Sequence, residues 1–96
     1  MNLKWSAFAI ADREAIFDYI EADSPRAAVE IDKRIKDAVE VLIDFPEIGR
    51  LGRVEATREL VIQRTPYIAA YQIKANAITI LRILHGAQQW PEEINP

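Results

Sequence analysis

Cysteine is absent from this 96-residue chain, and histidine occurs once, as His85. Without thiols there is no disulfide framework, no thiolate ligand for zinc or an iron–sulfur cluster, and no cysteine nucleophile. One imidazole rules out a histidine-rich metal site. Glycine is scarce, with three residues, and Gly49-x-x-Gly52 is not followed by the Lys-Ser/Thr of a phosphate-cradling loop. No run of 18 apolar residues occurs, and polar residues break up the first ten positions. Neither a membrane span nor a secretory leader is expected, and a cytoplasmic location is the default. A cationic excess is also missing: a net charge of −3 and a pI near 5.1 argue against a protein that coats nucleic acid non-specifically.

What is present is apolar mass, at 50% of residues, enough for one domain over residues 1–96 with a core of its own. The charge is divided. Residues 1–45 hold six Lys/Arg against ten Asp/Glu, a net of −4, whereas residues 46–91 hold six against three, a net of +3. Five of those last six are Arg, whose planar fork suits phosphates and carboxylates. An anionic partner and plain surface solvation both account for this asymmetry.

Periodicity sets the elements. Residues 2–6 alternate Leu3 and Trp5 with polar neighbours, the pattern of a half-buried strand. Across residues 7–23, Ala9, Ile10, Ile16, Phe17 and Ile20 recur at helical spacing after Ser6, a good N-cap. Ser24-Pro25 opens a second helix, whose stripe of Ala28, Ile31, Ile35, Ala38, Leu42 and Phe45 runs until Pro46 ends it. Two amphipathic helices on a short link predict an antiparallel hairpin. Residues 46–57 lack a period and predict a loop in which Gly49 and Gly52 can take positive φ where other residues could not. Residues 58–64, 67–74 and 77–84 are β-branched and aromatic; their links, Thr65-Pro66 and a turn at Asn76, are too short for crossovers, so they predict an antiparallel meander. Residues 85–96 predict a tail that packs by Trp90. The fold class is α+β: N-terminal strand, helical hairpin, then three-stranded meander.

Residues able to carry chemistry are few. His85, at a strand end beside Gly86, is placed either for proton exchange near neutrality or for a backbone hydrogen bond. Arg82 lies in an apolar strand, shares parity with Ile80 and Leu84, and needs a carboxylate, a carbonyl or water. Tyr67 and Tyr71 share a face, as core residues with hydroxyls at its edge or as a stacking platform for bases. Glu92-Glu93 and the helical acids are accounted for by solvation.

Several segments in order then resemble one family. They are Leu3-Lys4-Trp5-Ser6 with Ala9 and Asp12, Ile16-Phe17-Asp18-Tyr19-Ile20, Ser24-Pro25-Arg26-Ala27-Ala28, Leu42-Ile43-Asp44-Phe45-Pro46-Glu47-Ile48-Gly49, Thr57-Arg58-Glu59-Leu60, Pro66-Tyr67 with Tyr71, and Ile83-Leu84-His85-Gly86 followed by Trp90-Pro91. Together, over residues 3–91, the chain resembles the RelE/ParE toxins of type II toxin–antitoxin modules. The resemblance implies a small bacterial toxin, without metal or cofactor, neutralised by an antitoxin whose C-terminal segment wraps it. RelE-type members cleave mRNA on the ribosome with basic strand residues; ParE-type members poison DNA gyrase. Aligned on Tyr67 and Tyr71, the RelE basic positions fall on Glu59, Val61, Ile68 and Gln88. Val and Ile supply no charge to a phosphate. The resemblance therefore implies a ParE-like gyrase inhibitor. The alternatives are a metal-independent mRNA endonuclease using Arg58, Arg64 and His85, and a decayed toxin that only binds antitoxin. The surface expected to meet antitoxin or target comprises Arg50, Arg53, Arg58, Arg64, Tyr67, Tyr71, Arg82, His85, Gln88 and Trp90.

Overall fold

The computed structural model describes residues 1–94, so the last two residues of the expected tail lie outside the described residues. The order is β1 (Asn2–Trp5), α1 (Ala7–Glu21), α2 (Pro25–Glu40), a 3₁₀ turn (Val41–Ile43), β2 (Arg50–Leu51), β3 (Arg58–Val61), β4 (Tyr67–Lys74) and β5 (Ala77–His85). The strands form one sheet in the order β1-β5-β4-β3-β2, with β1 parallel to β5 and the other neighbours antiparallel. The class is α+β, as the patterning implies. Among the described residues, no helix is long and apolar enough to cross a membrane.

Both helices start where the caps predict. Ser6 Oγ accepts from the Ala9 amide at 3.0 Å and Ser24 Oγ from the Ala27 amide at 3.1 Å, with Pro25 at the first helical position. The hairpin lays Ala9, Ile35, Val39 and Leu42 on the inner face of the sheet, against Tyr67, Ala69, Tyr71, Ile78, Ile80 and Ile83. Arg13 of α1 clamps Asp32 of α2 in a bidentate pair at 2.6 and 2.9 Å, and its guanidinium lies 5.1 Å from the Trp5 ring centre on β1. Helix, helix and strand are tied by one side chain.

Several boundaries differ from the patterning. Helical bonding in α2 stops at Glu40, and the 3₁₀ turn carries Leu42 into the core ahead of Pro46. The loop over residues 46–57 contains β2, too short to show a period. Neither Gly49 nor Gly52 takes positive φ. Gly49 is needed for space, because a Cβ there would stand 2.5 Å from the Tyr71 hydroxyl. The strand over residues 58–64 ends at Val61: the Ile62 amide donates to Tyr67 O, the Thr65 amide to Ile62 O, and Arg64 turns left-handed at φ 60°. Asn76 is left-handed as expected, and Ala75 joins it, giving the twist of a tight hairpin.

A bulge decides which way β5 faces. Ala70 pairs with Arg82 but Tyr71 with Ile80, so Leu81 is extra and parity inverts there. Arg82 consequently shares a face with Leu84 but not with Ile80, contrary to simple alternation. Both faces of the strand are apolar because both are covered: Ile80 and Ile83 meet the hairpin, while Leu81 and Leu84 are 0% and 2% exposed outside that core.

Tyr71 is fully buried, donates to Pro46 O at 2.7 Å and accepts from the Gly49 amide at 3.0 Å. Tyr71→Phe strands both backbone groups without opening a large cavity. Chemical denaturation should report a loss of about 1–3 kcal/mol; an unchanged midpoint would show that the hydroxyl does not hold the segment before β2.

Candidate functional site

Residues directly opposite in a sheet point to one side, so the registers sort the candidate side chains into groups. On the face away from the hairpin, Arg50, Glu59, Ala70 and Arg82 form one row, and Val61, Ile68 and Leu84 the next. Tyr67, Tyr71, Arg58 and His85 belong to the hairpin face. Arg64 stands apart, in the turn after β3. The ten residues singled out from the sequence therefore do not converge on one cleft.

The outer face is organised by an acid that the sequence reading left out of the candidate set. Glu59 presents only 2% of its side chain to solvent. Its Oε1 accepts from Arg50 Nη2 at 2.9 Å and Nε at 3.2 Å; its Oε2 accepts from the Arg53 amide at 2.8 Å and Arg53 Nε at 3.1 Å. Burial works to raise the Glu59 carboxyl, yet the hydrogen bonds from Arg53 and Arg50 outweigh it and hold the group below the usual glutamate range. An acid inside an apolar strand, with two arginines in the preceding loop, is the signal that would have found it.

Trp90 completes this face. Its Nε1 donates to His85 O at 3.3 Å, and the Arg53 guanidinium lies 3.7 Å from its ring centre. One contact is at the end of β5 and the other is with the Arg53 side chain that reaches Glu59 on β3, so the indole and Arg53 together link β5 to the acid cluster. Ile68 and Ala70, 7% and 0% exposed, lie on the strand between. The tail does pack by its Trp, as expected. Gln88 serves the same turn, its Oε1 accepting from the His85 amide at 2.7 Å.

The remaining candidates are committed locally. Arg82 donates to Asp12 through Nε and Nη2 at 2.7 and 2.9 Å, meeting its need for a carboxylate. Arg58 Nη1 donates to Gly49 O at 2.8 Å and Glu47 O at 3.2 Å. His85 Nδ1 accepts from the Ala87 amide at 3.0 Å, and its ring meets Tyr67 edge-on at 5.7 Å. The imidazole thus turns to the hairpin face, away from the Arg50–Glu59–Arg53 cluster. Among the described residues, no three carboxylate or imidazole side chains are grouped to hold a metal ion.

In-line attack on a phosphodiester needs donors aimed at the phosphate and a proton acceptor beside the nucleophile. Here Arg50 and Arg53 face a carboxylate of the same chain, across the sheet from the imidazole, while Arg58, on the imidazole's face, donates to the carbonyls of Gly49 and Glu47.

Residues 3–90 match the family model described as the ParE toxin of type II toxin–antitoxin system, parDE. The putative toxin Y4kP of Sinorhizobium fredii is 41% identical over 91 residues, which are 95% of this chain and 94% of that one. Toxin RelE2 of Caulobacter vibrioides is 40% identical over 84 residues, 88% of this chain and 93% of that one. A solved structure of the chromosomal ParDE TA system from P. aeruginosa superposes with a TM-score of 0.78 at 35% identity, covering 86% of this chain and 92% of that chain.

The carboxylate makes the outer face acid-sensitive. A group whose folded pKa is lowered stabilises the fold above its unfolded value and loses that contribution as pH falls through the lowered one. Unfolding followed from neutrality down through and below the ordinary glutamate range should show stability falling on this account. Glu59→Gln should remove part of that slope and cost about 1–3 kcal/mol at neutral pH. An identical acid limb in wild type and variant would show that the charge at Glu59 is immaterial.

Proposed function

The chain belongs to the ParE toxin family of type II toxin–antitoxin systems, and from that premise we propose that it acts in the cytoplasm by binding and inhibiting DNA gyrase, and that a cognate antitoxin neutralises it. One observation carries the choice of a binding rather than a cleaving toxin. Where the RelE pattern sets basic residues, the outer face has Glu59 buried between Arg50 and Arg53, next to Val61 and Ile68. A phosphate approaching that row meets two guanidiniums that already share a carboxylate, so one of their two charges is offset and their donors are partly engaged before the ligand arrives. A toxin that acts by binding gains from a surface already held in its bound shape, because less ordering is lost on contact. The bidentate Arg82–Asp12 pair and the Trp90–Arg53 stack supply that rigidity at the sheet.

The second reading, a metal-independent mRNA endonuclease, is supported by the 40% identical relative named Toxin RelE2. Arg58, Arg64 and His85 would then bind phosphate and transfer protons. Against it stand their separate positions and the backbone bonds already made by Arg58 and His85.

Purified toxin should inhibit supercoiling by purified gyrase, leave mRNA intact in a translating extract, and lose its inhibition when antitoxin is added. Cleaved mRNA with untouched supercoiling overturns the gyrase reading. Silence in both assays, with normal growth on expression, leaves a chain that only binds antitoxin.

A further inference from the structure

We propose that the groove between α1, α2 and Trp5 of β1 receives a basic segment of the protein that the toxin inhibits, with apolar side chains in the groove and Lys or Arg against Glu14 and Asp18. The inference rests on the gyrase reading above and says where, and by what chemistry, the toxin engages that partner.

The groove has a volume of about 670 Å³. Half-buried Trp5 and Phe17 wall it together with Ile10, which is 47% exposed. Aromatic and branched surface is left in water here because α1 carries apolar residues on two sides. Ala9 faces the core and Ile16 and Ile20 pack against it, while Ile10 and Phe17, seven residues apart, share another side. The Arg13–Asp32 pair lies in the lining with Arg13 over the Trp5 ring, so the groove is held in shape before any ligand arrives.

The charge of the groove is one-sided. Arg13 and Asp32 offset each other, which leaves Glu14 and Asp18, and among the described residues neither has a Lys or Arg within ion-pair distance. Glu21 extends the row by three residues, and the last turn of α1 holds no basic residue. The row works against the helix that carries it. Like charges four apart repel, and acids in a last turn oppose the helix dipole.

Charge chooses the occupant. A two-fold pair of chains meeting at the groove would set Glu14 and Asp18 against themselves, a like-charge contact that disfavours pairing. An acidic ligand suits the arginine-rich half of the chain and is repelled here. A cationic segment with apolar side chains fills the groove and relieves the repelling row at once. An enzyme that holds DNA carries such surface, because Lys and Arg are what neutralise phosphates.

The test uses the intact toxin, purified gyrase and the protein encoded by the neighbouring small open reading frame, with affinities from titration, melting temperatures from calorimetry and mass from sedimentation. Asp18→Lys turns a repelling pair into an acid-before-base pair. It should raise the melting temperature of the free toxin by about 2–6 °C and still weaken gyrase binding at least about tenfold, with antitoxin affinity unchanged. Ile10→Ala, which trims an exposed side chain, should weaken gyrase binding about fivefold. Glu30→Lys, the same change of charge outside the groove, should leave it within about twofold. Gyrase bound equally by wild type and Asp18→Lys overturns the groove and leaves the gyrase reading standing. So does a loss confined to the antitoxin, which assigns the groove to that partner, or a wild-type oligomer that Asp18→Lys breaks up, which assigns it to a second copy. A lower melting temperature for Asp18→Lys overturns it too, since the acid then serves the fold. Absence of any complex between wild type and gyrase overturns both readings.

Discussion

A strand flanked on both sides must have both rows of its peptide groups bonded, and β5 meets that demand by two different means. β1 pairs with the first half of its outer row, from Ala77 to Ile80. Past the bulge the helix takes over. The Ser6 amide donates to Ile80 O, Ser6 Oγ donates to Leu81 O, and Asp12 Oδ2 accepts from the Ile83 amide. An unmade bond at any of these buried groups would cost about 1–3 kcal/mol. The position of α1 against the sheet is thereby fixed by backbone chemistry, and Ser6 holds the corner because it also caps the helix.

From that junction the rest follows outward. Asp12 is anchored by the Ile83 amide, so it can hold Arg82 in a fixed fork. Because the bulge has inverted parity, Arg82 sits in the outer row with Ala70 and Glu59 rather than in the core. The outer face then presents an alternation of arginine and carboxylate, capped by the Trp90 indole. Its arginines are all paired, with one positive charge left over in the Arg50–Glu59–Arg53 cluster, and it is apolar next to that. Such a face recognises a shape more readily than it stabilises a developing charge.

The candidate set shows which residues a single sequence exposes. Arg82 was singled out because a charge in an apolar strand needs a partner, and the partner is present. Of the two readings open to Tyr67 and Tyr71, core or stacking platform, their burial selects the core. Glu59 was weighed only as a missing lysine, although it organises the arginines around it. Nothing in the order of residues says that Arg50 and Arg53 of an aperiodic loop fold back onto an acid in the next strand, because a two-residue strand leaves no periodic trace.

The sequence by itself determined the elements and their caps: Ser6 and Ser24-Pro25 start the helices, Pro46 follows the hairpin, Asn76 turns the last two strands. Those are local choices, set by dihedral preferences and by hydrogen bonds spanning a few residues. Tertiary structure alone decided that β1 runs parallel to β5, that Leu81 bulges, that α2 stops at Glu40 and that His85 turns from the arginines. The first two are settled by contacts between residues far apart in the chain, where the free energy of satisfying a buried peptide edge outweighs the weak preference of any single residue; the last two combine local bonds with packing against the core and Tyr67.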